Sequence, residues 1–257
     1  MILFILLDIN IIILFSKGGI KLRVFEKLNS NNYNPHDFNN NVNYFIGGNP
    51  ITSFNKESKF PNIHPTVFIG SFSSIIGDVT ISENVFIACN AVIRADEGTP
   101  FFIGVNTNIQ DGVILHGLED GKVNVDSKEY SIYISDNVSC AHGALIHGPC
   151  LLHSKCFISF NSIVFNATIG KNTYVSPNAI VTGGVIVADN KFIPPSMIVD
   201  TQEIADTLPQ LPKDKEDFSE TVRKINKEFP ASYTTMFGSA RCSCGLCYNP
   251  SKIMNNF

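Results

Sequence analysis

Residues 67–95 read VFIGSFSSIIGDVTISENVFIACNAVIRA, with an isoleucine at every sixth position. These isoleucines are Ile69, Ile75, Ile81, Ile87 and Ile93. Small or turn-forming residues such as Gly70, Gly77 and Asn84 stand between them. A six-residue period predicts a parallel β-helix, in which short strands and turns stack one coil on the next. The strands of a β-sandwich would instead alternate apolar and polar residues with period two.

The same period continues to residue 199, with two breaks and one shift of phase. Apolar residues resume it at Ile103, Ile109 and Leu115, then at Ile134, Cys140, Ile146, Leu152, Ile158 and Val164, and, one residue out of phase, at Ile169, Val175, Val181, Val187, Ile193 and Val199. Because a sandwich needs no fixed six-residue phase over such a length, we expect a single continuous β-helix.

Two histidines occupy the same slot of this repeat. His116 follows Leu115, and His147 follows Ile146, 31 residues later. Three hexads make one coil of about 18 residues, so about 13 residues are in excess. A polar interruption at 117–131 accounts for that excess if it loops out of the coil. The two histidines are then predicted to lie on adjacent coils, about 4.8 Å apart.

A third histidine is placed differently. His142 comes two residues after Cys140, so we expect it to leave the wall in another direction and to be offered to a neighbouring subunit. Imidazole is the commonest protein ligand for zinc, and three histidines with an open fourth position are typical of a catalytic zinc site. His116, His142 and His147 are therefore the predicted metal ligands.

Several motifs resemble those of a known family. They are Arg94-Ala-Asp-Glu-Gly98, Asn108-Ile-Gln-Asp-Gly112, Leu115-His116-Gly-Leu-Glu119, Ala141-His142 and Ile146-His147-Gly148-Pro149. Together they resemble the gamma-class carbonic anhydrases and the carbonic-anhydrase-like N-terminal domain of the carboxysome assembly protein, over about residues 48–233. The resemblance implies a mainly β, left-handed β-helix trimer with C-terminal α-helices packed alongside. It also implies three metal sites at subunit interfaces, with His142 supplied by the adjacent subunit.

The resemblance also assigns roles to polar residues. Those with catalytic roles are Glu97 beside the metal-bound water, Gln110 as the amide that orients this water, Asn108 in the same pocket, Glu119 in proton transfer and Asn226 in placing carbon dioxide. Those that resemble inter-subunit ion pairs are Arg94, Asp96 and Asp111.

The implied activity is the reversible hydration of carbon dioxide to bicarbonate by a metal-bound hydroxide, the reaction of a zinc-dependent carbonate dehydratase (a lyase). Zinc (Zn²⁺) is the predicted ion, although imidazole also suits Fe²⁺ and Co²⁺. The alternative is a catalytically weak or inactive scaffold, or bicarbonate-binding protein, of the carboxysome type. A hexapeptide acyltransferase needs a general-base histidine and a coenzyme A cleft but no three-histidine site, so the pattern disfavours it.

Composition and the N-terminal segment narrow the class of protein. A net charge of −4 with 16% charged residues argues against nucleic-acid binding. Residues 1–15 are apolar but short for a membrane span, and they lack the leading positive charge of a signal peptide. We therefore expect a cytoplasmic protein, with export or anchoring through this segment as the alternative. The family resemblance implies a homotrimer and an association with a carbon-fixing compartment or carboxysome.

The predicted domains are an apolar segment and Asn-rich linker (1–46), the catalytic β-helix (47–200) and a C-terminal part (201–257). In the last, a short helix capped by Thr201 and a second helix over 217–229, stopped by Pro230, are expected. The apolar face of the second helix should pack on the β-helix.

Seven cysteines fall into two groups. Those in the repeat, Cys89, Cys140, Cys150 and Cys156, are predicted to be small buried residues. Those in the tail are Cys242, Cys244 and Cys247. Because the carboxysomal relatives carry a cysteine-bearing tail, the resemblance suggests a disulfide and redox control there, with a disordered reactive tail as the alternative.

Overall fold

The computed structural model describes residues 44–237, together with three strand segments before them. Those segments are β1 (Phe4–Ile5), β2 (Ile11–Ser16) and β3 (Gly19–Val24), which form an antiparallel sheet. The chain separates into two compact units, residues 1–40 and 41–257. The Asn-rich linker and the tail cysteines Cys242, Cys244 and Cys247 lie outside the described residues, so the predicted disulfide stays a prediction.

The described part of the second unit contains a three-sided parallel β-helix, as the hexad predicts. Its first face consists of β4 (Phe45–Gly47), β7 (Ser74–Gly77), β10 (Val92–Ala95), β13 (Ile114–Gly117), the first halves of β18 (Leu145–Leu152) and β20 (Ile163–Ile169), β22 (Ile180–Val181) and β25 (Ile198–Val199). Its second face consists of β5 (Asn62–Ile63), β8 (Val79–Ile81), β11 (Phe101–Ile103), β16 (Ile132–Ile134), the second halves of β18 and β20, and β23 (Ile186–Val187). Its third face consists of β6 (Phe68–Ile69), β9 (Phe86–Ile87), β12 (Asn108–Ile109), β17 (Ser139–Cys140), β19 (Phe157–Ile158), β21 (Tyr174–Val175) and β24 (Phe192–Ile193).

The core is the column of hexad residues inside the coils. On the first face Ile93 pairs with Leu115, and Leu115 pairs with Ile146, all three fully buried. Each such side chain contributes roughly 1.5–3 kcal/mol relative to an exposed one. Asparagines such as Asn84 and Asn106 turn the corners with φ near +55°, a conformation that asparagine tolerates better than most residues. The repeat thus supplies both the strands and their turns.

The corner between the first and second faces departs from the regular coil, and we call it the 1–2 corner. It carries residues 96–100, 117–131 and 148–149. Leu115 pairs with Ile93, 22 positions earlier, so four residues more than a regular coil are inserted near residue 97. The predicted loop at 117–131 does leave the coil, and it folds into an antiparallel hairpin of β14 (Val123–Val125) and β15 (Lys128–Tyr130).

The shift of phase also has a structural origin. β18 and β20 turn the 1–2 corner in adjacent coils, and their register slips between His147 and Cys150. The pairing changes from 18 to 17 positions there, so the later hexads start one residue early.

Within the described residues, two helices follow the β-helix. The first, α1 (Gln202–Asp206), begins at Thr201, whose side chain accepts a hydrogen bond from the Ile204 amide, as predicted. The second, α2 (Lys213–Phe237), is longer than predicted and continues through Pro230. The prediction that Pro230 stops it is wrong.

An aromatic cluster on the third face explains why α2 continues. Phe229 and Tyr233 lie on opposite sides of Pro230 and pack against Phe68 and Phe86 with ring centroids 4.9–5.4 Å apart. Proline cannot donate a backbone hydrogen bond, so the helix loses one at Pro230. The aromatic packing on both sides of Pro230 offsets this loss and keeps the helix continuous. Of the four residues on the apolar face of the predicted helix, Val222 and Phe229 pack on the β-helix as expected, whereas Phe218 and Ile225 are 43% and 49% exposed.

The repeat cysteines divide by position. Cys140, Cys150 and Cys156 are buried, and burial raises the pKa of the Cys150 and Cys156 thiols to about 12. Cys89 is exposed on a turn, so its predicted burial is wrong. Across residues 44–237, the helices present are too short or too polar to cross a membrane.

Candidate functional site

Two histidines meet at the 1–2 corner. His116 pairs directly with His147 across β13 and β18, as their shared slot in the hexad predicts. Nδ1 of His116 lies 3.2 Å from Nε2 of His147, and the rings meet edge to face at 5.1 Å between centroids. Looping out the hairpin therefore places two imidazoles, 31 residues apart in sequence, side by side.

Carboxylates surround the second nitrogen of His116. Its Nε2 lies 3.3 Å from Oδ1 of Asp96 and 3.8 Å from Oε2 of Glu97. Arg94 holds the other oxygen of Asp96 at 2.8 Å. Burial lowers the pKa of His116, and the charge of Arg94 lowers it further, against the opposing effect of Asp96. The neutral imidazole that a metal requires is thereby favoured.

The inserted residues place Asp96 and Glu97 beside the histidines. The Asn55 amide donates hydrogen bonds to the backbone carbonyls of Asp96 (2.7 Å) and Glu97 (3.3 Å). The Gly98 amide donates to the carbonyl of Gly117, which follows His116. These bonds tie the carboxylate-bearing loop to the strand that carries His116.

His142 lies elsewhere, at the corner between the third and first faces, which we call the 3–1 corner. This corner carries the turns 71–72, 89–90, 111–112, 142–143, 160–161 and 177–178. Nδ1 of His142 lies 3.0 Å from Oδ2 of Asp111, and its ring stacks on Phe160. The side chain is more than half exposed and points to solvent in the single chain.

A chain of buried amides runs along the third face next to this corner. Nε2 of Gln110 donates to Oδ1 of Asn108 at 2.9 Å, and Nδ2 of Asn108 donates to Oγ of Ser139 at 2.8 Å. Helix α2 packs against β12 and β17 and brings buried Asn226 to the same face. The Asn226 amide donates to the Val222 carbonyl of its own helix.

The predicted site residues therefore form two groups within one chain. The first group, at the 1–2 corner, contains Arg94, Asp96, Glu97, His116, Glu119 and His147. The second group, at or next to the 3–1 corner, contains Asn108, Gln110, Asp111, His142 and Asn226. Arg94 and Asp96 pair with each other within the chain. Among the described residues, no three or more His, Cys, Asp or Glu side chains are placed to hold a metal ion.

The first group nevertheless has the character of a partial metal site. A tetrahedral ion with metal–nitrogen bonds of about 2.0–2.1 Å separates its ligand atoms by roughly 3.3 Å. The 3.2 Å between the His116 and His147 nitrogens is close to that value. Metal-binding histidines also usually have a carboxylate or carbonyl at the other nitrogen, and Asp96 and the Gly148 carbonyl occupy these positions here. The residues fit two of the three ligands predicted for zinc.

Sequence reasoning missed two aromatic neighbours of the ligands and one apolar stripe. Phe160 stacks on His142, and Phe165 meets the His147 ring edge to face. The stripe runs in register along the outside of the first face through Val92, Ile114, Leu145, Ile163, Ile180 and Ile198. In the sequence, each residue of the stripe directly precedes an inward-facing hexad residue, as Ile114 precedes Leu115.

Comparisons with known proteins give the chain relatives. A family model described as bacterial transferase hexapeptide (six repeats) matches residues 60–95. The carboxysome assembly protein CcmM of Nostoc sp. is 45% identical over 185 residues, which is 72% of this chain and 33% of that protein. A carbonic anhydrase of Methanosarcina thermophila is 47% identical over 114 residues, which is 40% of this chain and 46% of that protein. The chain thus spans less than half the length of these two relatives.

One solved structure has a similar fold. A Bacillus cereus protein named as a candidate acetyltransferase superposes with a TM-score of 0.57 at 24% identity, over 69% of this chain and 94% of that chain. A likeness at this identity supports the hexapeptide-repeat fold alone.

Proposed function

Because the repeat domain is related to the gamma-carbonic-anhydrase-like family, we propose that this protein is a gamma-type carbonic anhydrase that interconverts carbon dioxide and bicarbonate. The observation that carries the proposal is the His116–His147 pair, with Asp96 and Glu97 at its edge. Hydration of carbon dioxide by zinc-loaded protein, followed by stopped flow, tests it. No rate above buffer, under reducing and oxidising conditions alike, would contradict it.

We further propose that the site is completed between subunits of a homotrimer of left-handed β-helices. The two groups of site residues lie at the two edges of the first face, and that face exposes the apolar stripe. A threefold arrangement that buries the stripe can bring the 1–2 corner of one subunit to the 3–1 corner of the next. His116 and His147 of one subunit and His142 of its neighbour would then hold one Zn²⁺, with Fe²⁺ and Co²⁺ as other candidates.

The chain's own residues supply the remaining chemistry in this proposal. When bound, the ion would lower the pKa of a coordinated water molecule to near neutral pH. Glu97 and Gln110 would orient that water, and Asn108 would hold Gln110 through the amide hydrogen bond already present. Asn226 would help to place carbon dioxide. Phe160 packs on the ring of His142 and Phe165 on the ring of His147. These two apolar rings would exclude water from the part of the site where carbon dioxide binds.

Proton export is assigned to Glu119. It lies exposed at the start of the hairpin segment, three residues after His116. Replacement of Glu119 with alanine should lower kcat roughly tenfold or more in dilute buffer, because the proton then loses its relay. Concentrated imidazole buffer should restore most of the rate.

Asp126→Asn is the matched control, since Asp126 is an exposed carboxylate in the turn of the same hairpin and asparagine tolerates its positive φ. It should leave kcat unchanged in both buffers. A Glu119→Ala loss of equal size in dilute and concentrated buffer would contradict the relay.

A second candidate function is a scaffold or bicarbonate-binding protein of the carboxysome type. The similarity to CcmM, over 72% of this chain, favours it. Under this alternative we propose that the protein is cytoplasmic and associates with a carbon-fixing compartment. Zinc-loaded assembled protein that binds bicarbonate without accelerating hydration would support this alternative over the enzyme.

A further inference from the structure

Lys122 links the two loops that carry the carboxylates of the 1–2 corner. Its Nζ donates to the backbone carbonyl of Thr99 at 2.6 Å and to that of Glu119 at 3.2 Å. Thr99 lies two residues after Glu97, so one ammonium group bonds to a carbonyl in each loop. Hydrogen bonds from a charged donor are stronger than those between neutral groups.

The surroundings of Lys122 show that this contact is built into the corner. A side chain at Gly98 would collide with the Leu118 carbonyl, and one at Gly121 would lie 2.5 Å from Cδ of Pro149. The backbone of segment 118–122 therefore contacts Gly98, next to Glu97, at Leu118 and contacts Pro149 of β18 at Gly121. Lys122 is half-buried, and this burial lowers its pKa although the charges of Glu129, Asp120 and Glu119 all raise it.

We propose that Lys122 is a positioning residue, a strap that fixes the loop of Glu119 against the loop of Glu97. One of the two bonded carbonyls belongs to Thr99, two residues after Glu97, and the other belongs to Glu119 itself. Lys122 would therefore hold the backbone of the proposed proton-transfer residue close to the loop of Glu97. This inference rests on the proposed function for its catalytic consequence, but the strap itself is a property of the free protein.

The test compares Lys122→Met with Lys122→Arg and with the matched control Lys128→Met, which removes an exposed lysine from β15 of the same hairpin. Hydrogen exchange of the purified full-length protein is measured in peptides covering 96–101 and 117–131. These contain the Gly98 amide bonded to Gly117 and the Ser131 amide bonded to Pro100. Loss of the strap should speed exchange there by about tenfold in Lys122→Met only.

Comparison of kcat with kcat/KM distinguishes a positioning role of Lys122 from a general effect on folding. We expect Lys122→Met to lower kcat about tenfold in dilute buffer while kcat/KM for carbon dioxide stays within about twofold, and Lys122→Arg to restore kcat. Unchanged exchange, equal losses in kcat and kcat/KM, or no rescue by arginine would overturn the proposal. A wild-type protein without hydration activity would refute the proposed function, whereas the exchange result would still decide the strap.

Discussion

Replacing His116 with alanine is expected to abolish retention of zinc and to lower kcat/KM for carbon dioxide hydration by at least about a hundredfold. His116 contributes one of the paired nitrogens at the 1–2 corner and is the histidine held by Asp96. Its loss leaves at most two imidazoles in the proposed site, and two imidazoles bind zinc far more weakly than three. Metal analysis of the purified variant and stopped-flow hydration measure the two effects.

His153→Ala is the matched control. His153 lies exposed in a turn after β18, outside both groups of site residues. This variant should keep its zinc and its hydration rate. A His116→Ala protein that retained wild-type zinc after dialysis would contradict the assignment of His116 as a ligand.

Replacing Ile114 with aspartate should convert the assembly to monomers and, in consequence, empty the metal site. Ile114 is the second of the six residues of the apolar stripe and precedes His116 by two positions on the same outer face, and it is 42% exposed in the single chain. If the stripe is an interface, the substitution buries an unpaired carboxylate at every contact, which costs several kcal/mol each time. Analytical ultracentrifugation and metal analysis report both outcomes.

Ile186→Asp provides the comparison, because Ile186 is 62% exposed on the second face, away from the stripe. It should remain a trimer with wild-type zinc. Trimers of Ile114→Asp at micromolar concentration would show that the stripe is not the interface.

The fold could be predicted from the sequence because it depends on a repeating pattern. Every inward position, such as that of Ile93 or Leu115, requires an apolar side chain. A wrong assignment at one such position therefore does not change the six-residue period. The pairing of His116 with His147 followed from counting residues around a coil. Pro230 could not be read correctly, because the rings that keep α2 continuous come from strands more than 140 residues earlier.

The site was less predictable, because its two groups lie at different corners. His142 lies in a turn at the 3–1 corner, whereas His147 lies in β18. The sequence predicted that His142 leaves the wall in another direction, towards a neighbouring subunit, but not which corner of that subunit it would face. The role of Lys122 was invisible in the sequence, since it depends on two backbone carbonyls that approach only after the hairpin folds. Cys89 was predicted to be buried but is exposed, because the residue type alone does not distinguish a cysteine on a turn from one that faces the core.

Hybrid assemblies test the shared site most directly. His116→Ala and His142→Ala chains with different tags are co-expressed, and trimers containing both are isolated through both tags. In a closed ring of three, each mixed trimer has one interface that joins an intact His116 to an intact His142, so about a third of the wild-type zinc and hydration rate should return. If all three ligands came from the same chain, no subunit would have a complete set. Hybrids as inactive and metal-free as the parent variants would therefore contradict the account.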